Sequence, residues 1–465
     1  MQSEEEGAML VGVCATLRRW DDPAIPAMIA KSGISWIRSD YYWKAFEREK
    51  GIYQLPDIYS KWIDRAHAVG LNQVAIFNGS NALYAPDIYD PDAYAQAAAA
   101  FAKATAGKVQ VIEIMNEPAN FGFTKHYGGS WNGYDERLEQ QQDWVEQYLI
   151  LLNKAAKAIK EVNPNVKVIG LGSVSPVNIR QIRMGVAPEV DGIVDHPYSF
   201  RFPAEVIPFN DSPEIQRRDG IVVADKAGSF ASLIDNYRQV SDEFDGPPEL
   251  WLTEWGWPTY HEAEPGKFMY PPVTARTQAK YTVRRLYECL GLGVDATFIY
   301  AFRDNRENPY HAESNFGLVR PNLEPKPVLK VVERFIVDTE GYRPLLEDAA
   351  VAVTVFPKAN RPDEYPIVWD GAKLQALGKV LVYKFSVSDG STAIALWSAT
   401  RASEELAHMM ADVEIEMPTS VETITVQDSM TGEERALRFE KHGGRIMLSN
   451  LSLPDYPIIL NLQSQ

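Results

Sequence analysis

Two glutamates end apolar stretches that are otherwise typical of buried strands. Glu117 lies near the end of VIEIMNEP (111–118), and Glu254 lies near the end of LWLTEWG (250–256). Two carboxyl groups facing each other across a cleft can cleave a glycosidic bond, because one protonates the leaving oxygen while the other attacks the anomeric carbon or activates water. A separation of about 5 Å favours direct attack and retention of configuration, whereas about 6.5–9.5 Å favours inversion.

A third glutamate precedes Glu117 in the same run. Alternate side chains of a strand share a face, so Glu113, Met115 and Glu117 are predicted to point the same way. An unpaired carboxylate costs several kcal/mol to bury, and Glu113 lies two residues deeper than Glu117. We therefore predict that Glu113 is a structural carboxylate paired with Arg38, and that only Glu117 of the two takes part in chemistry.

Eight short β-rich runs, separated by amphipathic helical patterns, predict the elements that position these groups. The runs begin roughly 25 to 60 residues apart, a spacing that suits βα units and favours a closed (β/α)8 TIM barrel over a doubly wound sheet. The predicted strands are 9–15, 36–41, 72–78, 111–118, 166–173, 192–199, 250–256 and 296–304. In such a barrel the strand ends and the loops after them form the functional face, so Glu117 and Glu254 should meet across its mouth.

The pattern changes after about residue 342. Short β-rich runs are separated by turn signals such as SDG and MTGEE, and helical periodicity nearly vanishes. We predict a catalytic barrel over 1–342 followed by a C-terminal β-sandwich of about eight strands over 343–465. The sandwich is predicted to support the barrel rather than to bind sugar itself, because no aromatic platform stands out within it.

Composition and charge restrict the partners. The 465-residue chain has a formal net charge of -17, which argues against nucleic acid and disfavours acidic polysaccharides. No segment approaches the roughly 20 apolar residues of a membrane span, so no membrane partner is predicted. The start, MQSEEEGAML, lacks the features of a signal peptide. The expected location is therefore the cytoplasm, or else the chain is the mature form of an exported protein.

No cofactor or metal is predicted. The histidines lack ligand spacing, and the sequence has neither a GxGxxG nor a GxxxxGK[ST] motif. The two cysteines, Cys14 and Cys289, are too few for a disulfide framework and are predicted to be small buried hydrophobes. A serine hydrolase is disfavoured because GSVSP (172–176) lacks the GxSxG elbow.

The motifs at the strand ends resemble those of one enzyme group. NEP (116–118) together with TEWGWPT (253–259) resembles the clan A retaining glycoside hydrolases. IEIMNEP, HPY (196–198) and NFGLVRPNLEPKP (315–327) are most similar to glycoside hydrolase family 39 and its neighbours. The trailing sandwich also fits this group, so the resemblance covers most of the chain. It implies a cofactor-free hydrolase that cleaves oligo- or polysaccharides by double displacement.

The resemblance also implies roles for matching residues. Glu117 would be the general acid/base and Glu254 the nucleophile, while Asn116 would bind the sugar 2-hydroxyl. Arg38 matches an arginine that holds the nucleophile, and Tyr198 matches a tyrosine whose hydroxyl lies near it. The charge of Glu254 is expected to raise the pKa of Glu117 and keep it protonated.

Other polar side chains at the strand ends have two readings each. His196 is either a sugar contact or a hydrogen-bonded core histidine. Asn78, at the end of the third strand, either contacts the sugar or forms a turn.

Aromatic residues near the mouth are candidates for stacking on sugar rings. The clan often has a tryptophan at the end of strand 8, where this sequence reads FIYAFRD and offers Phe302 or Tyr300, with an aspartate beyond. Trp131, Trp255 and Trp257 lie in or next to the predicted loops of the functional face. The replacement of the common strand 8 tryptophan by Phe302 or Tyr300 does not change the predicted reaction class, but it leaves the preferred sugar open.

Two alternatives share this scaffold. A transglycosylase would use the same residues and differ only in how well water is excluded. A non-catalytic carbohydrate-binding barrel is disfavoured because Glu117, Glu254, Asn116 and Arg38 are all present. The oligomeric state is not predicted.

Overall fold

The computed structural model describes most of the chain. It gives residues 8–15, 22–120, 122–200, 202–261, 271–305, 308–346, 351–358, 367–369, 372–374, 377–405, 408–418 and 420–464. These ranges contain all eight strands of the barrel and most of the C-terminal domain.

Eight parallel strands close into a barrel in sequence order, with the eighth beside the first. They are β1 (Leu10–Cys14), β2 (Trp36–Tyr42), β3 (Asn72–Asn78), β4 (Val111–Ile114), β5 (Lys167–Ser173), β6 (Gly192–Asp195), β7 (Glu249–Trp255) and β8 (Ala296–Ile299). The predicted TIM barrel is confirmed. Strands β4, β6 and β8 end earlier than predicted, because the chain leaves extended geometry just where the functional residues begin.

Helices surround the barrel. The described residues contain α1 (Ala24–Lys31), α2 (Trp43–Phe46), α3 (Asp57–Ala68), α4 (Pro91–Ala104), α5 (Gly122–Tyr127), α6 (Asp143–Val162), α7 (Ser175–Met184), α8 (Pro213–Asp219), α9 (Phe230–Phe244), α10 (Ala275–Gly291) and α11 (Pro327–Asp338). Short 3-10 turns occur at Ala82–Tyr84 and Ala312–Ser314, and small hairpins pair Glu47–Glu49 with Ile52–Tyr53 and Tyr134–Asp135 with Gln140–Gln141. Among the described residues, no helix has the length and apolar character needed to span a membrane.

Local sequence explains where these helices start and which face they bury. The Asp90 side chain accepts a hydrogen bond from the Ala93 N–H at 2.8 Å, and Pro91 occupies the first turn of α4. Both features satisfy or remove N–H groups that a helix start leaves without partners. In α6, Tyr148, Leu152 and other residues at helical spacing are buried, so the helix packs one apolar face against the barrel.

Aromatic side chains fill the lower barrel beneath the mouth. Trp36 of β2 packs edge-on against Trp251 of β7, with ring centroids 6.0 Å apart, and Trp251 stacks on Phe298 of β8 at 6.2 Å. Gly12 on β1 makes room for this packing, because a Cβ there would lie 2.3 Å from the Phe298 ring. The charged residues of the mouth therefore stand on a dry, close-packed floor.

The C-terminal domain is a sandwich of antiparallel sheets, as predicted. Its strands are β9 (Tyr342–Pro344), β10 (Ala352–Pro357), β11 (Val380–Val387), β12 (Thr392–Ser398), β13 (His408–Glu416), β14 (Val421–Asp428), β15 (Glu434–Ala436), β16 (Glu440–His442), β17 (Arg445–Pro454) and β18 (Ile458–Ser464). One sheet has the order β9-β11-β12-β18-β14-β15 and the other β10-β13-β17-β16, while a separate hairpin pairs Ile367–Trp369 with Ala372–Leu374. The two sheets share an apolar core. They contain ten described strands where the sequence predicted about eight, because three-residue edge strands give little signal.

The two domains are joined by buried charges on α10. The Lys280 ammonium donates to both carboxylate oxygens of Asp455, at 2.7 and 3.0 Å, and to the Ser403 carbonyl at 2.7 Å. Both side chains of this ion pair are fully buried. Breaking such a pair leaves an uncompensated buried charge, which is far more costly than losing a surface contact.

We expect Asp455→Ala to lower the free energy of unfolding by about 3–5 kcal/mol, because it leaves the Lys280 charge buried and unpaired. The control is Asp92→Ala, which removes an exposed partner of Lys154 and should cost less than about 1 kcal/mol. Urea unfolding followed by tryptophan fluorescence measures both. Equal losses in the two variants would contradict the prediction.

Candidate active site

The carboxyl ends of the barrel strands surround a cavity of about 720 Å³. Arg38, Asn116, Glu117, Tyr198 and Glu254 all line it, so the structure brings these five predicted site residues together. Glu254 lies near the end of β7, Asn116, Glu117 and Tyr198 lie just beyond β4 and β6, and Arg38 points inward from within β2, so the parallel barrel brings all five to one face.

Arg38 links the carboxylates of this cavity. Its Nε and Nη2 donate to the two carboxylate oxygens of Glu113 at 2.7 and 2.6 Å, and Nη1 donates to Glu254 Oε1 at 2.5 Å. Nη2 also donates to Asn116 Oδ1 at 2.8 Å. Arg38 is 3% exposed. Both readings of this arginine therefore hold geometrically: it pairs with the structural Glu113 and it holds Glu254.

Glu254 is fixed from two sides. Besides Arg38, the Tyr198 hydroxyl donates to Glu254 Oε2 at 3.1 Å. The side chain of Glu254 is 12% exposed, so part of the carboxylate still faces the cavity. Burial raises the pKa of Glu254, although the charges of His196 and Arg38 act in the opposite direction.

The end of β4 differs from the predicted strand. Extended geometry stops at Ile114, and Met115 and Glu117 have positive φ values of 63° and 41°. The prediction that Glu113, Met115 and Glu117 share one strand face is therefore wrong, because alternation requires extended backbone. Left-handed geometry at a non-glycine residue costs of order 1–3 kcal/mol and is concentrated at functional sites. Here the turn brings Glu117 to the cavity.

Glu117 is hydrogen-bonded to His196, which directly follows β6. The Nδ1 atom of His196 lies 2.7 Å from Glu117 Oε1 and 3.8 Å from Glu254 Oε2. Because two carboxylates face Nδ1, this nitrogen carries a proton and donates a hydrogen bond to Glu117. His196 Nε2 lies 3.0 Å from Thr253 Oγ1, which fixes the ring from behind. His196 is 8% exposed, so it is a buried bridge between the carboxylates.

The proton distribution in this cluster differs from the sequence prediction. Burial acts to raise the pKa of Glu117, but the hydrogen bond and charge of His196, with a weaker hydrogen bond from Asn120, outweigh it and lower that pKa. Burial acts to lower the pKa of His196, yet the charges of Glu254 and Glu117 outweigh it and raise that pKa. The expected rise in the pKa of Glu117 is therefore not found, because local sequence does not indicate that His196 lies between the two carboxylates.

The two carboxyl groups are close together. One carboxylate oxygen of Glu117, one of Glu254 and a ring nitrogen of His196 all lie within 4.8 Å of one another. This spacing falls near the roughly 5 Å typical of direct nucleophilic attack and well below the 6.5–9.5 Å that leaves room for an attacking water.

The same three side chains offer ligand atoms that a metal ion could use. Competing contacts disfavour this use: His196 Nδ1 is hydrogen-bonded to Glu117, and Arg38 Nη1 lies 2.5 Å from Glu254 Oε1. A guanidinium at that distance would repel a cation. The arrangement favours proton exchange over metal binding.

Three predicted stacking residues are not brought to the cavity. Trp257 and Phe302 are 2% and 0% exposed, and Trp257 packs against Tyr281 with ring centroids 5.1 Å apart. Trp131 is partly exposed but lies against Phe209 and beneath the Arg218 guanidinium, outside the cavity lining. The structure contradicts the stacking role of Trp257 and Phe302, because buried rings offer no face to a sugar, whereas the stacking role of the partly exposed Trp131 stays a prediction.

Of the other candidates, Asn78 and Tyr300 line the cavity, whereas Trp255 and Asp304 are buried away from it. Trp255 is 1% exposed and packs against Trp257, so it offers no free face either. Asn78 and Tyr300 line the cavity, and the Asn78 carboxamide oxygen accepts the Asn116 N–H at 3.2 Å. Asp304 is instead buried in an ion pair with Lys326 at 2.8 Å.

Sequence reasoning missed several residues at this site. Tyr42, Tyr89 and Glu313 also line the cavity, and Thr253 orients His196. Thr253 directly precedes Glu254 in TEWG, so its position in the motif was a usable signal. Tyr89 and Glu313 come from loops without periodicity, where nothing in the local sequence indicates which side chain turns inward.

Comparisons with known proteins agree with this fold. The chain is similar to a family 39 glycoside hydrolase from the gut symbiont Bacteroides cellulosilyticus WH2, with a TM-score of 0.66, 18% identity, and 98% of this chain and 81% of that chain covered. It is also similar to the catalytic domain of a family 30 xylanase C from Talaromyces cellulolyticus, with a TM-score of 0.53, 11% identity, and 99% and 98% covered. A family 30 subfamily 8 xylanase from Clostridium acetobutylicum gives a TM-score of 0.51 at 13% identity, with 98% and 96% covered.

These likenesses establish a shared barrel-and-sandwich fold over nearly the whole chain. The resemblance predicted from the strand-end motifs is thus confirmed at the level of fold. No protein-family model matches the chain, and no curated protein sequence matches it.

The raised pKa of His196 predicts how its contribution to stability changes with pH. The contribution is fully present below the unfolded histidine pKa of about 6.5 and is lost as the pH rises through the higher folded value. We expect the destabilisation caused by His196→Gln to be largest near pH 6 and to shrink towards pH 9. Urea unfolding of both proteins across this range measures it.

The control is His67→Gln, which removes an exposed histidine from α3 and should change the free energy of unfolding by less than about 0.5 kcal/mol. A loss of stability in His196→Gln that stays constant or grows with pH would contradict the assignment of the proton to His196.

Proposed function

We propose that this chain is a retaining glycoside hydrolase that cleaves oligo- or polysaccharides by double displacement. The observation that carries the proposal is that one carboxylate oxygen of Glu117, which follows β4, lies within 4.8 Å of one carboxylate oxygen of Glu254 on β7. A water molecule attacking in line would need a wider gap, so the geometry favours direct attack by one carboxylate.

Glu254 is the nucleophile in this proposal. It attacks the anomeric carbon, and the bond from that carbon to the leaving oxygen breaks, which gives a glycosyl ester on Glu254. Arg38 and Tyr198 hold the two carboxylate oxygens at 2.5 and 3.1 Å and fix the direction of attack. Ester formation removes a charge whose burial raises the pKa of Glu254, so the reaction relieves the cost of desolvating it.

Glu117 is the general acid of the first step. In the free protein its pKa is lowered by His196, whose Nδ1 proton lies on a 2.7 Å hydrogen bond to Glu117. The pair thus holds the proton between the two side chains. As the leaving oxygen gains negative charge, Glu117 takes the proton of His196 and passes it to that oxygen, so the new O–H bond forms as the N–H bond of His196 breaks.

The second step reverses these roles. With Glu254 esterified, the charge that raised the pKa of His196 is absent, so the His196–Glu117 pair no longer binds its proton as tightly. Glu117 then removes a proton from water, the resulting hydroxide attacks the anomeric carbon, and Glu254 leaves. Two inversions give net retention.

Asn116 is the proposed contact for the sugar 2-hydroxyl. Its Oδ1 accepts from Arg38 and its backbone N–H donates to Asn78, so the side chain is fixed before substrate arrives. A donor held this way strengthens a hydrogen bond in the transition state without a cost of reorganisation. Asn78 and Tyr300, which line the same cavity, extend this surface.

We expect Glu254→Gln to lower kcat/KM by several orders of magnitude, more than about 4 kcal/mol of transition-state stabilisation, because the amide cannot form the ester. The assay uses aryl β-glycosides (xylo, gluco, galacto, fuco, arabinofuranosyl and glucuronyl) and several polysaccharides. Proton NMR of the first-formed product should give the anomer of the substrate. Inverted product, or full activity in the variant, would refute the mechanism.

We expect Glu117→Ala to depend strongly on the leaving group. An aryl glycoside with an acidic phenol needs little protonation, so its first step should survive, while glycosides with poor leaving groups should lose about 10²–10⁴-fold in rate. Added azide should restore turnover by attacking the glycosyl ester, giving a glycosyl azide of retained configuration. Chromatography of the products measures this.

The matched control is Glu313→Gln, which neutralises another carboxylate of the same cavity. It should show neither the dependence on the leaving group nor rescue by azide. Azide rescue in both variants, or in neither, would contradict the role of Glu117.

A further inference from the structure

The segment that follows β6, residues 196–207, is buried at all its described positions except Phe200, although these positions form no helix or strand. Phe202 and Val206 of this segment pack against Leu377 of the sandwich. Loops normally run over the surface, because buried backbone groups need hydrogen-bond partners. The start of this segment carries His196 and Tyr198, which contact Glu117 and Glu254.

Arg285 of α10 supplies partners for the first part of this segment. Its Nη1 donates to the Pro197 carbonyl at 3.2 Å, between the two active-site residues. Its Nη2 donates to Ser199 Oγ at 2.8 Å and to the Ala204 carbonyl. Arg285 is fully buried, so these contacts are not diluted by solvent.

The next residue of the segment, Glu205, is tied to the sandwich. Arg284 Nε donates to Glu205 Oε1 at 2.6 Å, and the indole N–H of Trp397 on β12 donates to the same oxygen at 2.8 Å. Arg284 Nη1 also donates to the Thr400 carbonyl of the sandwich at 2.8 Å. All three side chains are fully buried, so each depends on the others for charge balance and hydrogen bonding.

We propose that the sandwich is a positioning domain for the active site: Trp397, through Glu205 and the adjacent Arg284 and Arg285, holds the segment 196–207 and thereby fixes His196 and Tyr198. The chain of contacts is continuous from β12 of the sandwich to the hydroxyl that holds Glu254. This role goes beyond support of the barrel as a whole, because it acts on one segment.

The test compares two substitutions at the same domain interface. Trp397→Phe removes the hydrogen bond to Glu205. Tyr383→Phe removes another hydrogen bond from the sandwich to α10, from the Tyr383 hydroxyl to Glu288 at 3.3 Å, but keeps the ring that stacks on Trp397. Both should lower the melting temperature, so loss of stability alone does not separate positioning from support.

Hydrogen exchange separates them without reference to activity. Several amides of the segment are hydrogen-bonded within or next to it, including those of Tyr198, Phe202 and Ile207. We expect these amides to exchange on the order of tenfold faster in Trp397→Phe and at the wild-type rate in Tyr383→Phe. Unchanged exchange in Trp397→Phe, or an equal increase in both variants, would overturn the proposal.

The kinetic part of the test rests on the proposed function. On whichever glycoside the wild type cleaves, Trp397→Phe should lower kcat on the order of tenfold with little change in KM, because the substrate still binds while Tyr198 is misplaced. Tyr383→Phe should keep wild-type kinetics. If the wild type cleaves no glycoside, the proposed function fails, and hydrogen exchange still decides the positioning role.

Ser199→Ala provides a second variant in case Trp397→Phe does not fold. It removes one acceptor of Arg285 within the segment and leaves the domain interface intact. We expect faster exchange at Phe202 and a smaller fall in kcat, with an almost unchanged melting temperature. Wild-type exchange and kinetics in this variant would count against the proposal.

Discussion

The guanidinium of Arg38 is the constraint on which the site depends. It is a buried cation that pairs with both Glu113 and Glu254, so without it both buried carboxylates would lose their guanidinium partner. Arg38 and Glu113 lie on β2 and β4, alternate strands whose inward side chains share layers in a barrel of this type. The fully buried Glu113 thus orients the arginine, and the arginine presents Nη1 to Glu254.

His196 and Glu117 share a proton next to this fixed charge. His196 lies between Glu117 and Glu254, and its raised pKa couples the protonation of one carboxylate to the charge of the other. Such a cluster titrates as a unit. Neutralising Glu254 therefore changes the proton affinity at Glu117 without any movement of the backbone, which is the change of role that a double displacement requires of its acid/base.

The strand ends could be predicted from sequence, whereas the geometry beyond them could not. Glu117 and Glu254 were found because apolar strand patterns run directly into carboxylates, and the barrel fold then dictates a common face. The left-handed turn at Met115 was missed because nothing in an apolar run indicates where extended geometry stops. The burial of Trp257 was missed for a related reason: its ring packs on Tyr281 and its carbonyl accepts from Gln278, both on α10, and these contacts leave no local sequence signal.

Contacts between residues far apart in the sequence cannot be predicted from local sequence patterns. Glu205 and Trp397 are 192 residues apart, and neither lies in a sequence motif that indicates a contact with the other. Read alone, Glu205 looks like a loop carboxylate and Trp397 like a strand residue of the sandwich. Together with Arg284 they form a buried polar network, in which removing one member leaves a desolvated partner without its hydrogen bond. The sandwich was predicted to support the barrel; this network makes that support specific, since it acts on the segment that carries His196 and Tyr198.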